Sequence, residues 1–398
     1  MERILRDLAS RALIEGGLKM RFWKPMLTVL LLSVASASAQ APDPMDAAPF
    51  TSAMVCGHCH VDIHQAWTTN LHSRAATEPI FTQALEEAAA SRGEDVRKFC
   101  LTCHAPTTVA TQDYAMTRNI TKESVTCDFC HTMVEANPGA EVPYRLDVGG
   151  PENIKRGPYK DADPKDHGVA FSELHLSARL CASCHEYKTP DGVPILSTYS
   201  EYLEGPYPRR NVICQGCHMP VVMANVVDPR VMRDPREFIN LHRMPGGHAP
   251  DQLARALTLE WGEITRSSGT IQVRLLVSNT GAGHRVPTGM PSRKLVLEVE
   301  AETATGKLYK DQTVYQKVVV DSEGKEILRD GQMFTHAASV RRDNRILPGE
   351  ERMAGFSFLI PSTQTAELTA RLVYEFSPLG PEGATERIVF KTIRSTTR

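Results

Sequence analysis

Five times along the chain a cysteine is followed by two free positions, a second cysteine and a histidine. The copies are Cys56-Gly57-His58-Cys59-His60, Cys100-Leu101-Thr102-Cys103-His104, Cys127-Asp128-Phe129-Cys130-His131, Cys181-Ala182-Ser183-Cys184-His185 and Cys214-Gln215-Gly216-Cys217-His218. Together they use all ten cysteines. The spacing is that of c-type haem attachment. Two cysteines on one helical turn match the separation of the two vinyl groups that they bond as thioethers. The next residue then turns a ring nitrogen toward the metal. Structural zinc needs four ligands, usually two such pairs, which leaves one of five pairs unmatched. A disulfide framework would accept ten cysteines but leaves the five adjacent histidines unexplained. The expectation is five covalently bound haem c groups.

The N-terminus agrees with that chemistry. Arg21 and Lys24 precede an apolar run from Met26 to Val34, and Ala35-Ser36-Ala37-Ser38-Ala39 supplies a small-residue cleavage site. Residues 1–39 are therefore read as a secretory signal, with Met20 the expected true start and cleavage near Ala39. The apolar run falls short of the roughly 20 residues that span a bilayer, so no stable membrane span is expected. Covalent haem attachment takes place outside the bacterial cytoplasm, so a periplasmic or extracellular location follows. A net charge of −2 gives no reason to expect nucleic acid as a partner.

Beyond the signal the chain has two grammars. Residues 40–252 hold every cysteine and twelve of the fourteen histidines. They are broken by proline and glycine, and Gln83–Lys98 is the clearest amphipathic helix. Such a stretch reads as a mostly α and irregular multihaem domain in which porphyrins take the place of a side-chain core. Residues 253–398 read as all-β. Runs at 257–264, 271–278, 294–301, 313–320, 353–359, 368–376 and 387–392 are separated by turn signals such as Ser267-Ser268-Gly269 and Ser322-Glu323-Gly324-Lys325. This pattern predicts an immunoglobulin-like sandwich.

The first motif is followed by Trp67 and Asn70-Leu71-His72-Ser73, the second runs into Ala105-Pro106, the third reads Val125-Thr126-Cys127-Asp128-Phe129-Cys130-His131, and the last closes with Met219-Pro220. In these features the chain resembles the cytochrome c-552/c-554 superfamily, whose relatives include hydroxylamine-oxidoreductase-like proteins. The loop Asn279-Thr280-Gly281-Ala282-Gly283-His284-Arg285-Val286-Pro287-Thr288-Gly289 resembles one found in members with an appended β domain. The resemblance covers most of the chain after the signal, and the superfamily spans both carriers and enzymes.

With His60, His104, His131, His185 and His218 as the ligands supplied by the motifs, nine histidines remain for the opposite axial positions. His72 matches the superfamily's histidine after the tryptophan. His167 and His175 precede the fourth motif, His242 lies in Leu241-His242-Arg243-Met244, and His284 sits in a glycine-rich loop that would reach from the β region. These five are the expected distal ligands, with His248 held in reserve. His58, His64 and His336 are read as surface or structural residues.

Mostly paired histidines imply an exported electron carrier with unidentified donor and acceptor proteins. The alternative is an oxidoreductase working on a small nitrogen or sulfur compound at one five-coordinate haem. All five copies carry histidine after the second cysteine, unlike the lysine that marks the catalytic haem of pentahaem nitrite reductases. Self-association into a homo-oligomer or filament through the β region is a further expectation.

Overall fold

In the computed structural model, which describes residues 49–397 apart from 234, 235 and 237, the motifs lie on short helices. The signal read at residues 1–39 lies outside the described residues. The first motif straddles the end of Ala53–Gly57, whose N-cap Ser52 accepts from the Met54 amide at 3.2 Å. The second ends Glu94–His104, the third starts Cys127–Thr132, the fourth runs off Arg179–Ala182 and the fifth fills Cys214–His218. The helix expected over 83–98 is two helices, Pro79–Arg92 and Glu94–His104. Gly93 separates them at φ +87°, a conformation that the preceding alanine-rich turn cannot continue.

Side-chain cores in this region are small, as the broken pattern implied. One holds Ala76, Leu85, Leu101 and Ala105, and another Phe129, Met133, Ala136 and Tyr144. Polar ties hold the motif helices instead. Glu123 accepts from the Ala53 amide at 2.8 Å and from Thr126 Oγ1 at 2.8 Å, which fastens the first helix to the third motif. Gln215 Nε2 donates to the carbonyls of His175 and Ser177, at 3.2 and 3.0 Å, and so ties the fifth motif to the segment before the fourth.

The β region forms two main antiparallel sheets and a two-stranded ribbon. In one, Thr270–Ser278 lies between Glu351–Leu359 and Thr258–Ser267. In the other the order is Leu308–Tyr315, Arg293–Thr303, Ala366–Phe376, Glu386–Thr397. Period-two alternation sends Ile271, Val273, Leu275 and Val277 to one face, where they share a single apolar cluster with Leu297, Val299, Leu368 and Leu372 of the other sheet. The run expected at 313–320 is divided at Gln316 between two strands. Its second half, Lys317–Val320, pairs with Ser339–Asp343, a strand whose exposed, charged sequence gave no alternating signal.

The boundary expected between 252 and 253 falls inside the helix Pro250–Ala256. All described residues belong to one compact unit, and the two regions share a core of their own. Val193 and Ile195 of the haem region pack with Val319, Ile327 and Met333. Beside it lies a buried polar cluster: Arg345 pairs with Glu201 at 2.7 Å, each 3% exposed, and with Asp343 at 2.7 Å. Lys317 Nζ donates to the Pro194 carbonyl at 2.9 Å and to Ser197 Oγ at 2.9 Å. Among the described residues no helix is long and apolar enough to cross a membrane.

Candidate haem-binding site

A cavity of about 1750 Å³ runs through the N-terminal region. Cysteines and histidines of the first four motifs line it, with His72, His167, His175, His242 and His248. The fifth motif reaches it through Gln215 and Gly216. The lining is largely apolar, with Trp67, Phe81, Leu85, Phe129 and Ile239 among it.

Four of the five motif histidines are held in one tautomer. His60 Nδ1 meets the Val226 carbonyl at 2.7 Å, His104 Nδ1 that of Ala75 at 2.8 Å, His131 Nδ1 that of Arg156 at 2.6 Å and His218 Nδ1 that of Pro245 at 2.6 Å. A carbonyl only accepts, so each Nδ1 carries the proton and each Nε2 is left bare for a metal. Burial, opposed in part by these bonds, pushes His104 and His131 below the ordinary imidazole range. Burial also pushes His185 down to about 3, with His72 and His218 adding to it. Burial thus keeps His104, His131 and His185 neutral, as ligation requires.

The histidines come in facing pairs. A metal–nitrogen bond of about 2 Å on each side, with roughly 1 Å more from nitrogen to ring centre, sets two imidazole centres about 6 Å apart across one metal. His60 and His167 stand 6.4 Å apart, His72 and His185 6.2 Å, His131 and His242 6.1 Å, and His218 and His284 6.2 Å. Among the described residues no three ligating side chains converge on one point. Ligands supplied two at a time suit a metal that already holds four in-plane nitrogens. All ten cysteines are free of disulfides, so the donor set fits haem c.

Local sequence explains how the distal rings are placed. Asn70 accepts from the His72 amide at 2.7 Å and donates from Nδ2 to the His242 carbonyl at 2.8 Å, so one side chain fixes the backbone at two of them. Burial brings His72 to about 4 and His242 to about 3. In the glycine-rich loop Asn279 Nδ2 donates to the His284 carbonyl at 2.9 Å, and its Oδ1 accepts from the Ala282 amide at 3.1 Å. Gly281 is required there by close backbone approach, since a Cβ would come within 2.0 Å of the Arg255 carbonyl oxygen. The glycine thus serves a contact within the protein.

His175 departs from the other expected ligands. Its Nε2 meets the Cys130 carbonyl at 3.2 Å, and its ring lies 5.3 Å from His131, closer than the four pairs. A carbonyl only accepts, so Nε2 carries the proton, and the buried Nδ1 has no partner. No other imidazole among the described residues stands at pairing distance from His104, whose ring is stacked on Phe81 at 3.8 Å. His248, the reserve, is hydrogen-bonded through Nδ1 to the Glu386 carboxylate. His64 is half-buried, its ring over Gly57 and its enclosed Nε2 without a partner, a position the sequence did not suggest.

The motifs also touch one another. The Cys56 thiol meets that of Cys127, Cys103 meets Cys184, and Cys181 meets Cys214. The contacts thus join the first motif to the third, and the fourth to the second and the fifth.

Residues 55–132 match the model of the family described as cytochrome c554 and c-prime. The fold is similar to that of a penta-haem cytochrome c552 from Thermochromatium tepidum, with a TM-score of 0.70 and 21% identity over 89% of this chain and 100% of that one. The ApaA protein of Bordetella pertussis aligns over 35% of this chain and 90% of its own at 12% identity, with a TM-score of 0.19 that carries no argument. No curated protein matches the chain.

Proposed function

We propose that this chain, a multihaem c-type cytochrome, is an exported carrier that binds five haems and passes electrons between protein partners. The observation that carries the proposal is the set of four facing histidine pairs at 6.1–6.4 Å. Bound haem supplies one-electron Fe(III)/Fe(II) chemistry. The cysteines of each motif would hold it covalently, with His60 and His167, His185 and His72, His131 and His242, and His218 and His284 as axial pairs.

Filling both axial positions leaves a substrate no seat and keeps geometry constant between oxidation states. Bis-histidine ligation also favours lower potentials than methionine–histidine ligation. The thiol contacts link the first motif to the third, and the fourth to the second and the fifth, while Cys130 of the third and Cys184 of the fourth pack against one shared apolar cluster. Through His284 the β region, which we read as an immunoglobulin-like sandwich, becomes part of the redox unit. We read its outer surface as the place for docking or self-association.

One observation favours the second reading, an oxidoreductase. His104 has no facing imidazole among the described residues, so the second motif is the candidate for an open iron. Protein-film voltammetry separates the two. A carrier gives reversible uptake of five electrons and no catalytic current with nitrite, hydroxylamine or sulfite. A catalytic wave with any of them establishes the enzyme.

A further inference from the structure

Four buried polar atoms without a hydrogen-bond partner belong to residues at one end of the four-stranded sheet. They are Ser292 Oγ, Arg293 Nε, Asp330 Oδ1 and Tyr374 OH. Arg293 opens the strand Arg293–Thr303 and is registered against Phe376, two residues beyond Tyr374. Asp330 begins the short helix Asp330–His336, and its amide donates to the Pro378 carbonyl at 2.8 Å. Arg293 and Asp330 both line the haem cavity.

The charges there do not cancel as they stand. Among the described residues Arg293 has no ion-pair partner, although its Nη1 donates to the Thr288 carbonyl at 3.1 Å. The guanidinium lies across Gly289, where a Cβ would come within 2.5 Å of Nη1. Asp330 has Ser292 beside it without a hydrogen bond of ordinary geometry. Burial pushes its carboxyl up to about 7, against the opposing effects of Ser292 and Arg293. An unpaired cation and an unpaired carboxyl on one wall exclude most ligands. A metal cation would be repelled by Arg293, and a neutral group would leave the guanidinium without its counter-ion. A carboxylate accepts from Arg293, Ser292 and Tyr374 together, and it shares a single proton with Asp330.

Haem carries such carboxylates as its propionates. Arg293 acts electrostatically on His185, so the cluster lies within electrostatic reach of the fourth motif's histidine. Resting on the haem reading above, we propose that Ser292, Arg293 and Tyr374 seat one propionate of the haem attached at Cys181 and Cys184, and that Asp330 holds a proton against it. When one electron from the donor protein reduces iron there from Fe(III) to Fe(II), the added negative charge draws one proton from solvent onto the Asp330–propionate pair. One O–H bond forms and none breaks within the protein. The charged and titratable groups facing Asp330 are few. Arg293 and Tyr374 come from two strands, and Glu386 from a third is held by His248. The helix Pro79–Arg92 packs its Ala84 and Ala88 on Gly331, with its Glu87 bound to Arg329.

The test is a spectroelectrochemical titration of the purified holoprotein across neutrality, with intact mass and spin state recorded on the same samples. Mass and spin state report the haem reading; the pH slope of the potentials reports this inference. In the native protein one midpoint potential should fall with rising pH at a slope of one proton per electron. Asp330→Asn should abolish that slope with haem count, spin states and the other potentials kept, and Asp330→Glu should restore it. Where Asp330→Asn does not fold, Tyr374→Phe decides. Loss of one donor to the carboxylate should move the slope to higher pH. An unchanged slope in Asp330→Asn, or in Tyr374→Phe where that variant decides, overturns the proposal. So does a slope that moves on adding phosphate or nitrate to the native protein but not to Arg293→Gln, since the seat then belongs to a free anion.

Discussion

The imidazoles of His218 and His284 face each other 6.2 Å apart, centre to centre, with their planes 19° apart. One belongs to the fifth motif and the other to a loop of the β region, so under the proposed ligation this pair would join the two regions in one redox unit. Burial lowers the His284 pKa, its bond to the Arg285 carbonyl opposing in part, and keeps the ring neutral. His284→Ala should open a single iron. A new high-spin signal and added carbon monoxide binding by the reduced protein would follow, with one potential rising as a donor ligand is lost. The strands should survive in circular dichroism, because the residue lies on a loop. Unchanged spin states would make the β region a passive appendage.

Asn70 is expected to act on two irons at once. It is 5% exposed and bonds the backbone at His72 and at His242. Asn70→Ala should cost about 1–3 kcal/mol by leaving a buried donor and acceptor unmade. It should also shift two potentials together while haem attachment stays complete. Chemical denaturation and a redox titration of the variant check both parts.

The buried cluster between the regions predicts a pH effect. Lys317 is pushed down to about 8, chiefly by burial and then by Arg345. Its folded pKa lies below the ordinary 10.5, so between those values the unfolded chain binds more protons and native stability rises with pH. Lys317→Met removes that rise. The melting-temperature difference between native protein and variant should therefore move in the native protein's favour as pH climbs through the window. A constant difference would show that Lys317 does not titrate there.

Glu201→Gln tests the same cluster by charge. Arg345 would keep Asp343 but lose the Glu201 charge at 2.7 Å. Breaking a buried pair this way costs about 3–5 kcal/mol. Urea unfolding should show that loss, and limited proteolysis should reach the junction between the two regions sooner.

What the sequence revealed follows from where the constraint is local. Thioether attachment dictates Cys56–His60 and its four counterparts residue by residue, so the motifs were legible. Period-two alternation made Ile271–Val277 legible as a strand for the same reason. The facing histidine pairs were not, because His60 and His167, or His131 and His242, meet only through the fold. Proximity to the fourth motif made His175 look like a ligand, yet its Nε2 serves the Cys130 carbonyl. Ser292, Arg293, Asp330 and Tyr374 carried no signal at all. Each reads as an ordinary polar residue until the sheet end and the helix Asp330–His336 bring them together.

The most direct measurement is low-temperature electron paramagnetic resonance of the oxidised, purified protein, quantified against haem count by intact mass. Four facing pairs and one histidine without a partner predict four low-spin irons and one high-spin iron for every chain carrying five haems. Fewer than four low-spin irons would break the pairing of His60 with His167, His72 with His185, His131 with His242 or His218 with His284. Five low-spin irons would place a ligand opposite His104 that the described residues do not supply as a histidine, and the account of the second motif would be wrong.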